Sequence, residues 1–172
     1  MKYLFLLLFP FLLAASCTKE DDGPVSPVDQ LPPATQTGEN IVACLIDGEP
    51  WVNDPNRTGE VNISASYYWL NNSITIHGYD RLDDYNTYIG LRIPIDTSIS
   101  PHLDSNSIIF QYREPINQVI EYKLEARSGF INIAHLDETA RVLSGEFSGL
   151  LINAIRNDTL KITDGRFDVT FY

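Results

Sequence analysis

Cysteine is nearly absent from this chain: among 172 residues only Cys17 and Cys44 carry thiols, so neither a disulfide network nor a thiolate-rich metal centre holds the fold together. Histidine is as scarce. His77, His102 and His135 fall in separate segments, at none of the short spacings that set two imidazoles on one zinc ion. No Gly-x-Ser-x-Gly elbow and no phosphate-cradling glycine loop occurs, which removes the commonest sequence signatures of hydrolases and nucleotide enzymes. Positive charge is also short, with 12 Lys and Arg against 23 Asp and Glu and a net charge of −11. Such a surface repels phosphate backbones and argues against nucleic acid as a partner, while cations, sugars and basic proteins remain open. A membrane-spanning run is missing too, since the one apolar stretch, residues 3–13, is interrupted by Pro10 and too short for a hydrocarbon core of about 30 Å.

What is present begins with an address. A positive Met1-Lys2, the apolar stretch and the small residues Ala14-Ala15-Ser16 before Cys17 read as a secretory signal with its cleavage point. The order Leu13-Ala14-Ala15-Ser16-Cys17 resembles the lipobox of bacterial lipoproteins, which implies removal of residues 1–16 and acylation of Cys17. Buried acyl chains gain about 0.8 kcal/mol per methylene, so two or three of them anchor a domain stably and make the lipid bilayer its first partner. Lys19-Glu20-Asp21-Asp22 resembles the export signal of surface lipoproteins in the Bacteroidota, which implies the outer membrane and its outward face. A hydrated acidic opening to a linker would look the same and leaves a periplasm-facing position as the alternative. Residues 23–40 then hold Pro24, Pro27, Pro32 and Pro33 with no apolar period. They read as a tether, and 18–40 would span roughly 25 Å as a coil or about 70 Å extended. Residues 41–172 are one domain's length of chain.

Within that body the apolar period is two, and no helical period is sustained. Val61, Ile63, Ala65, Tyr67 and Trp69 share one parity, and Asn71-Asn72 supplies a two-residue turn that would pair Trp69 with Ile74, Tyr67 with Ile76, Tyr68 with Thr75 and Ser66 with His77. A strand over 87–95 follows, pairing Ile76 with Leu91 and Tyr79 with Tyr88, and Pro94 ends it or marks an edge. Ile120, Tyr122 and Leu124 alternate with Glu121, Lys123 and Glu125, and Leu143, Gly145, Phe147, Gly149 and Leu151 repeat the pattern. Near the end, apolar Leu160 and Ile162 are even while Phe167, Val169 and Phe171 are odd. A bulge at Asp164-Gly165, with Gly165 at positive φ, changes the parity within one long strand; a hairpin turn there is the other solution. With about eight to nine strands and no covering helix, the economical architecture is all-β, an antiparallel β-sandwich or flattened β-barrel. Cys44 reads as a small core residue, and Trp51 and Trp69 read as packed.

The segments Cys44-Leu45-Ile46-Asp47-Gly48-Glu49-Pro50-Trp51, Leu143-Ser144-Gly145-Glu146-Phe147-Ser148 and Ile162-Thr163-Asp164-Gly165-Arg166-Phe167-Asp168-Val169 resemble pieces of uncharacterised lipoprotein domains of the Bacteroidota. The resemblance brackets nearly the whole body and implies fold and location, with no activity attached.

For chemistry, the hairpin registers collect Tyr68, His77, Tyr79, Tyr88 and Arg92 on the wet face of a meander, with Gly90 opposite His77 leaving a shallow gap. Asp80, Asp83, Asp84 and Asn86 lie at one end of it. Tyrosine rings offer flat apolar faces to sugars, and carboxylates accept hydroxyl hydrogen bonds; an ordinary solvated strand face accounts for the same residues. Asp80, Asp83 and Asp84 also offer oxygen ligands to calcium, although the spacing is not that of a full calcium loop. A carboxylate pair for glycoside hydrolysis leaves no sequence trace, and Asp80, Asp83, Asp84, Glu121 and Glu125 are its candidates. Three classes follow: a surface module binding glycan or peptide, a structural or assembly subunit of the envelope, and a hydrolase. The first fits the tether, the address and the tyrosine face together, with no catalytic residue assigned.

The anchor makes a direct prediction. Cells expressing the chain incorporate labelled palmitate into it, and Cys17→Ala abolishes the label; an unlabelled parent chain removes the lipoprotein reading.

Overall fold

The computed structural model describes residues 25–53, 63–82, 85–95, 107–113, 118–125 and 128–172. Ten strands make up a single curled antiparallel sheet: β1 (Ile41–Ile46), β2 (Glu49–Val52), β3 (Ile63–Tyr68), β4 (Ser73–Leu82), β5 (Tyr85–Pro94), β6 (Ile108–Arg113), β7 (Val119–Leu124), β8 (Phe130–Asp137), β9 (Val142–Asn153) and β10 (Asp158–Thr170). Their spatial order is β2-β1-β10-β9-β7-β6-β5-β4-β3, and β8 pairs with β9 beside β7. The all-β architecture expected from the period of two is thus present, with more strands than the pattern alone revealed. The additional ones include β2, a four-residue strand that follows the tight Asp47-Gly48 turn, where both residues have positive φ, 50° and 90°.

Curling brings the two ends of the sheet together. The indole of Trp51 on β2 donates to the Thr87 hydroxyl on β5 at 2.8 Å. A Cβ at Gly78 on β4 would press on Val42 and Trp51. The chain end closes the rim, because Tyr172 donates to Ala65 O at 3.1 Å and accepts from Tyr67 N at 2.9 Å, joining the end of β10 to β3. Inside lie Val42, Cys44, Ile76, Leu91, Phe147, Phe167 and their neighbours. Burial pushes the Cys44 thiol far above its ordinary range, as befits an inert core residue.

The β4–β5 hairpin matches the expected register, with Ile76 opposite Leu91, His77 opposite Gly90 and Tyr79 opposite Tyr88. It is longer than expected, running to Leu82 and back from Tyr85, and β5 ends at Pro94 inside the sheet. The β3–β4 hairpin differs. Tyr67 pairs with Ile74, Ser66 with Thr75 and Tyr68 with Ser73, two residues away from the two-residue-turn register. The turn is four residues long, with Asn72 at φ 46° and its side-chain oxygen accepting from the Tyr67 hydroxyl at 2.7 Å. A slip of two conserves every face, so the alternation is satisfied by either register. Trp69 and Leu70 therefore lie in the turn, 77% and 80% exposed, and Trp69 is not a core residue.

The parity change in β10 is a bulge within one long strand: Ile162 pairs with Gly149 and Gly165 with Phe147. Asp164, and not Gly165, takes the positive φ, 53°. The glycine is needed for a different reason, since a Cβ there would run into the Phe147 carbonyl and ring.

Residues 25–40, where the proline pattern anticipates a free tether, are docked on the sheet. After a 3₁₀ turn at Pro27–Gln30, Leu31 is 6% exposed and packs on Ala43 and Leu45, the outward residues of β1. With Val42 and Cys44 inward and Ala43 and Leu45 covered by this strap, both faces of β1 are dry, which accounts for its unbroken apolar run. Beyond Leu31, Asp168 holds the strap. Its carboxylate, 3% exposed, accepts from the Thr35 hydroxyl at 2.6 Å and from the backbone N–H of Thr37, Gly38 and Glu39 at 3.0, 2.8 and 3.2 Å. Burial opposes ionisation here, but the four hydrogen bonds outweigh it and keep the carboxyl below its ordinary value. Arg166 adds a 2.8 Å bond to Pro32 O, and Thr170 N donates to the Asn40 side chain at 3.0 Å.

Asp168→Asn removes the charge from this clamp. We expect faster amide exchange at Thr37, Gly38 and Glu39 and a loss of about 2 kcal/mol, the scale of a charge-assisted hydrogen bond. Because the folded carboxyl lies below the roughly 3.9 of an unfolded aspartate, the clamp is complete above that pH and fails as pH falls through the folded value. Protection of these amides, relative to their intrinsic exchange rates, that persists unchanged through the acid titration of the carboxyl, or that is unchanged in the variant, contradicts the assignment.

Candidate functional site

Three of the residues collected by the hairpin registers meet on the outer face of β4 and β5. Period-two alternation puts His77 and Tyr79 on one side of β4, and the register sets Tyr88 directly across from Tyr79. The two tyrosine rings are 5.2 Å apart at 48°, and the His77 and Tyr88 rings 5.4 Å apart at 49°, both within the range of favourable tilted pairs. The Tyr88 hydroxyl shares a 2.9 Å hydrogen bond with His77 Nδ1. That bond depends on Gly90: a Cβ at this position would overlap the Tyr88 hydroxyl and ring carbons. The gap expected at Gly90 is accordingly filled by the Tyr88 phenol, which folds back along its own strand.

β6 and β7 extend the surface. Gln111 lies opposite Tyr88 and Glu121 opposite Gln111, so Tyr79, Tyr88, Gln111 and Glu121 form one row across four strands. Gln111 donates to the Glu121 carboxylate, and Lys123 pairs with the same carboxylate at 3.1 Å. Arg113 and Val119 continue the outer face, and with His77, Tyr79, Tyr88 and Gln111 they line an open groove of about 370 Å³, within the range of small-ligand sites. Val119 also lines a neighbouring hollow of about 570 Å³ with Ile152 and Ile155.

Burial sets the electrostatics. It pushes the Tyr88 phenol up to about 12, helped by Tyr79 and the Glu121 charge, so the hydroxyl keeps its proton at all ordinary pH. Burial lowers His77 from its ordinary value, so the imidazole is neutral at pH 7. The groove thus presents two aromatic faces, a neutral imidazole hydrogen-bonded to the Tyr88 phenol, the Gln111 amide and the Arg113 side chain, a set suited to hydrogen-bonding and stacking.

The other expected residues are elsewhere. Tyr68 is exposed on the same parity, but its partner Ser73 is four residues from His77 along β4, about 13 Å away. Arg92 lies opposite Thr75 and outside the groove lining. Asp80 pairs with Thr87, on the opposite parity from Tyr79, so it does not join the tyrosine face. Asp83 and Asp84 lie outside the described residues, as does Cys17. Among the described residues no cluster of three His, Cys, Asp or Glu side chains is placed to hold a metal ion. Gln111 and Arg113 were not anticipated, although Ile108, Phe110 and Tyr112 alternate with Ile109, Gln111 and Arg113 and carry the strand signal; the distance in sequence from Tyr79 hides their place in the same groove.

Fold and surface together define a curled all-β domain with an aromatic groove on its outer face. Compared with protein families, with curated proteins and with solved structures, the chain has no match.

The His77 environment is directly measurable. Its NMR titration is expected below the unperturbed midpoint of about 6.5, and Tyr88→Phe, which deletes the shared hydrogen bond, is expected to shift that titration and to cost about 1 kcal/mol. Because the folded imidazole binds its proton less well than the unfolded one, stability falls as pH drops below about 6.5. A midpoint above that value would refute the burial argument.

Proposed function

We propose that this chain is a lipid-anchored binding module of the outer membrane, facing outward, whose tyrosine groove takes a glycan chain. The observation that carries the reading is the Tyr79–Tyr88 pair, two rings 5.2 Å apart along a groove that also offers His77 and Gln111. A sugar ring presents an apolar C–H face to an aromatic ring and hydroxyls to the groups around it, so stacking sets orientation and hydrogen bonds set selectivity. The acidic surface, −11 overall, favours neutral or basic ligands over phosphorylated ones. The lipobox-like start supports the anchor, and the acidic residues after Cys17 support the outward face.

A second reading, as an envelope assembly subunit, draws on β8. Among the described residues this eight-residue strand pairs with β9 alone, and a strand edge of this kind is the usual acceptor for an added strand from another chain.

A glycan-array screen of the chain beside a Tyr79→Ala, Tyr88→Ala double variant tests the first reading. We expect binding by the parent chain and a loss of at least about tenfold, or roughly 1.4 kcal/mol, in the variant, with unchanged circular dichroism. A parent chain that binds no glycan would reject it and turn attention to the β8 edge.

A further inference from the structure

The bulge in β10 shapes another groove, on the outer face of β8, β9 and β10, that shares no residue with the tyrosine groove. It measures about 460 Å³. Phe130, 49% exposed at the start of β8, forms one wall, and Ala34 of the docked strap stands on the other side. The floor is the close Phe147–Gly165 crossing, which only a glycine permits.

The polar groups of this groove are unspent. Glu146 and Arg166 are directly opposite in the β9–β10 register, the arrangement in which a cross-strand ion pair normally forms. They do not pair: Arg166 turns to the strap, donating to Pro32 O at 2.8 Å and from Nε to the Asp164 carbonyl at 3.5 Å, with further N–H groups left over from its five. Among the described residues the carboxylates of Glu146 and Asp164 and the hydroxyl of Ser148 make no hydrogen bond or ion pair. Asp164 is set where it is by the bulge, since its φ of 53° turns the chain there, and bulges commonly re-aim a side chain in this manner.

The mixture of groups selects the ligand. Two free carboxylates repel phosphate and other anions. The guanidinium beside them disfavours a simple cation. What satisfies carboxylate acceptors, guanidinium donors and a hydroxyl at once, while covering an aromatic ring, is a neutral molecule with many hydroxyls and an apolar C–H face. We propose that this groove is a second, independent carbohydrate site, for neutral oligosaccharides, with the docked strap as one of its walls. The inference goes beyond the tyrosine groove and shares with it only the chemistry of the ligand.

The test uses the full chain in detergent, screened against neutral oligosaccharides of glucose, mannose, galactose and N-acetylglucosamine. The Tyr79→Ala, Tyr88→Ala variant is run beside Phe130→Ala and Glu146→Gln. We expect at least one sugar whose binding survives the tyrosine variant and falls about tenfold or more in Phe130→Ala and in Glu146→Gln. The same sugar is expected to slow amide exchange at Thr37, Gly38 and Glu39 of the strap. Glu146→Gln is an exposed, nearly isosteric change that leaves the core untouched, so a loss in it is not a folding effect. Sugar binding that both Phe130→Ala and Glu146→Gln leave unchanged overturns the proposal, and so does a parent chain that binds none of these sugars. If, beside such a sugar, no sugar at all loses binding in the Tyr79→Ala, Tyr88→Ala variant, this site stands and the tyrosine groove is rejected.

Discussion

The β9–β10 hairpin is the constraint on which the other strands depend. β10 pairs with β1 on one side and β9 on the other, while β9 receives both β7 and β8 along its second edge. That crowding is made feasible by small residues. A Cβ at Gly145 would strike the Asn132 carbonyl of β8, one at Gly149 would strike Leu124 of β7, and one at Gly165 would strike Phe147. Glycine costs entropy in a strand, so three of them at these crossings mark where close backbone approach outweighs that cost. Phe147 and Phe167, alternating with the glycines, then fill the space inside with rings 6.5 Å apart.

The hairpin also organises the outer surface. Residues of one parity on β10 point to the core and those of the other parity, Arg166, Asp168 and Thr170, hold the strap. One strand thus serves as core wall and as dock for residues 31–40.

The sequence pattern identified strand type and face well and register less well. At β4–β5 the pairing was legible, because Tyr79 with Tyr88 and Ile76 with Leu91 match like with like over a long hairpin. At β3–β4 the same logic admits registers two apart, and nothing in the alternation distinguishes them; the four-residue turn and the Tyr67–Asn72 bond decide, and they expose Trp69. The groove was half legible: His77, Tyr79 and Tyr88 come from one hairpin and were foreseeable from local pairing, whereas Gln111 and Arg113 arrive from β6, whose place beside β5 is a matter of sheet order. Asp80 departs from the expected place because an acidic run before Asn86 reads as a loop, while β4 continues past Asp80 to Leu82.

Composition and periodicity alone determined that this is an acidic all-β domain without a disulfide network, since these follow from residue counts and from a period of two that any strand must obey. Only the tertiary structure decided which outward residues become buried. Ala43, Leu45 and Asp168 have solvent-facing parity and are dry because a proline-rich segment lies on them. The side chain at each position records which face it occupies, but what lies against that face is set by chain far away in sequence, through hydrogen bonds to backbone N–H groups that every residue carries and that leave no mark in the sequence.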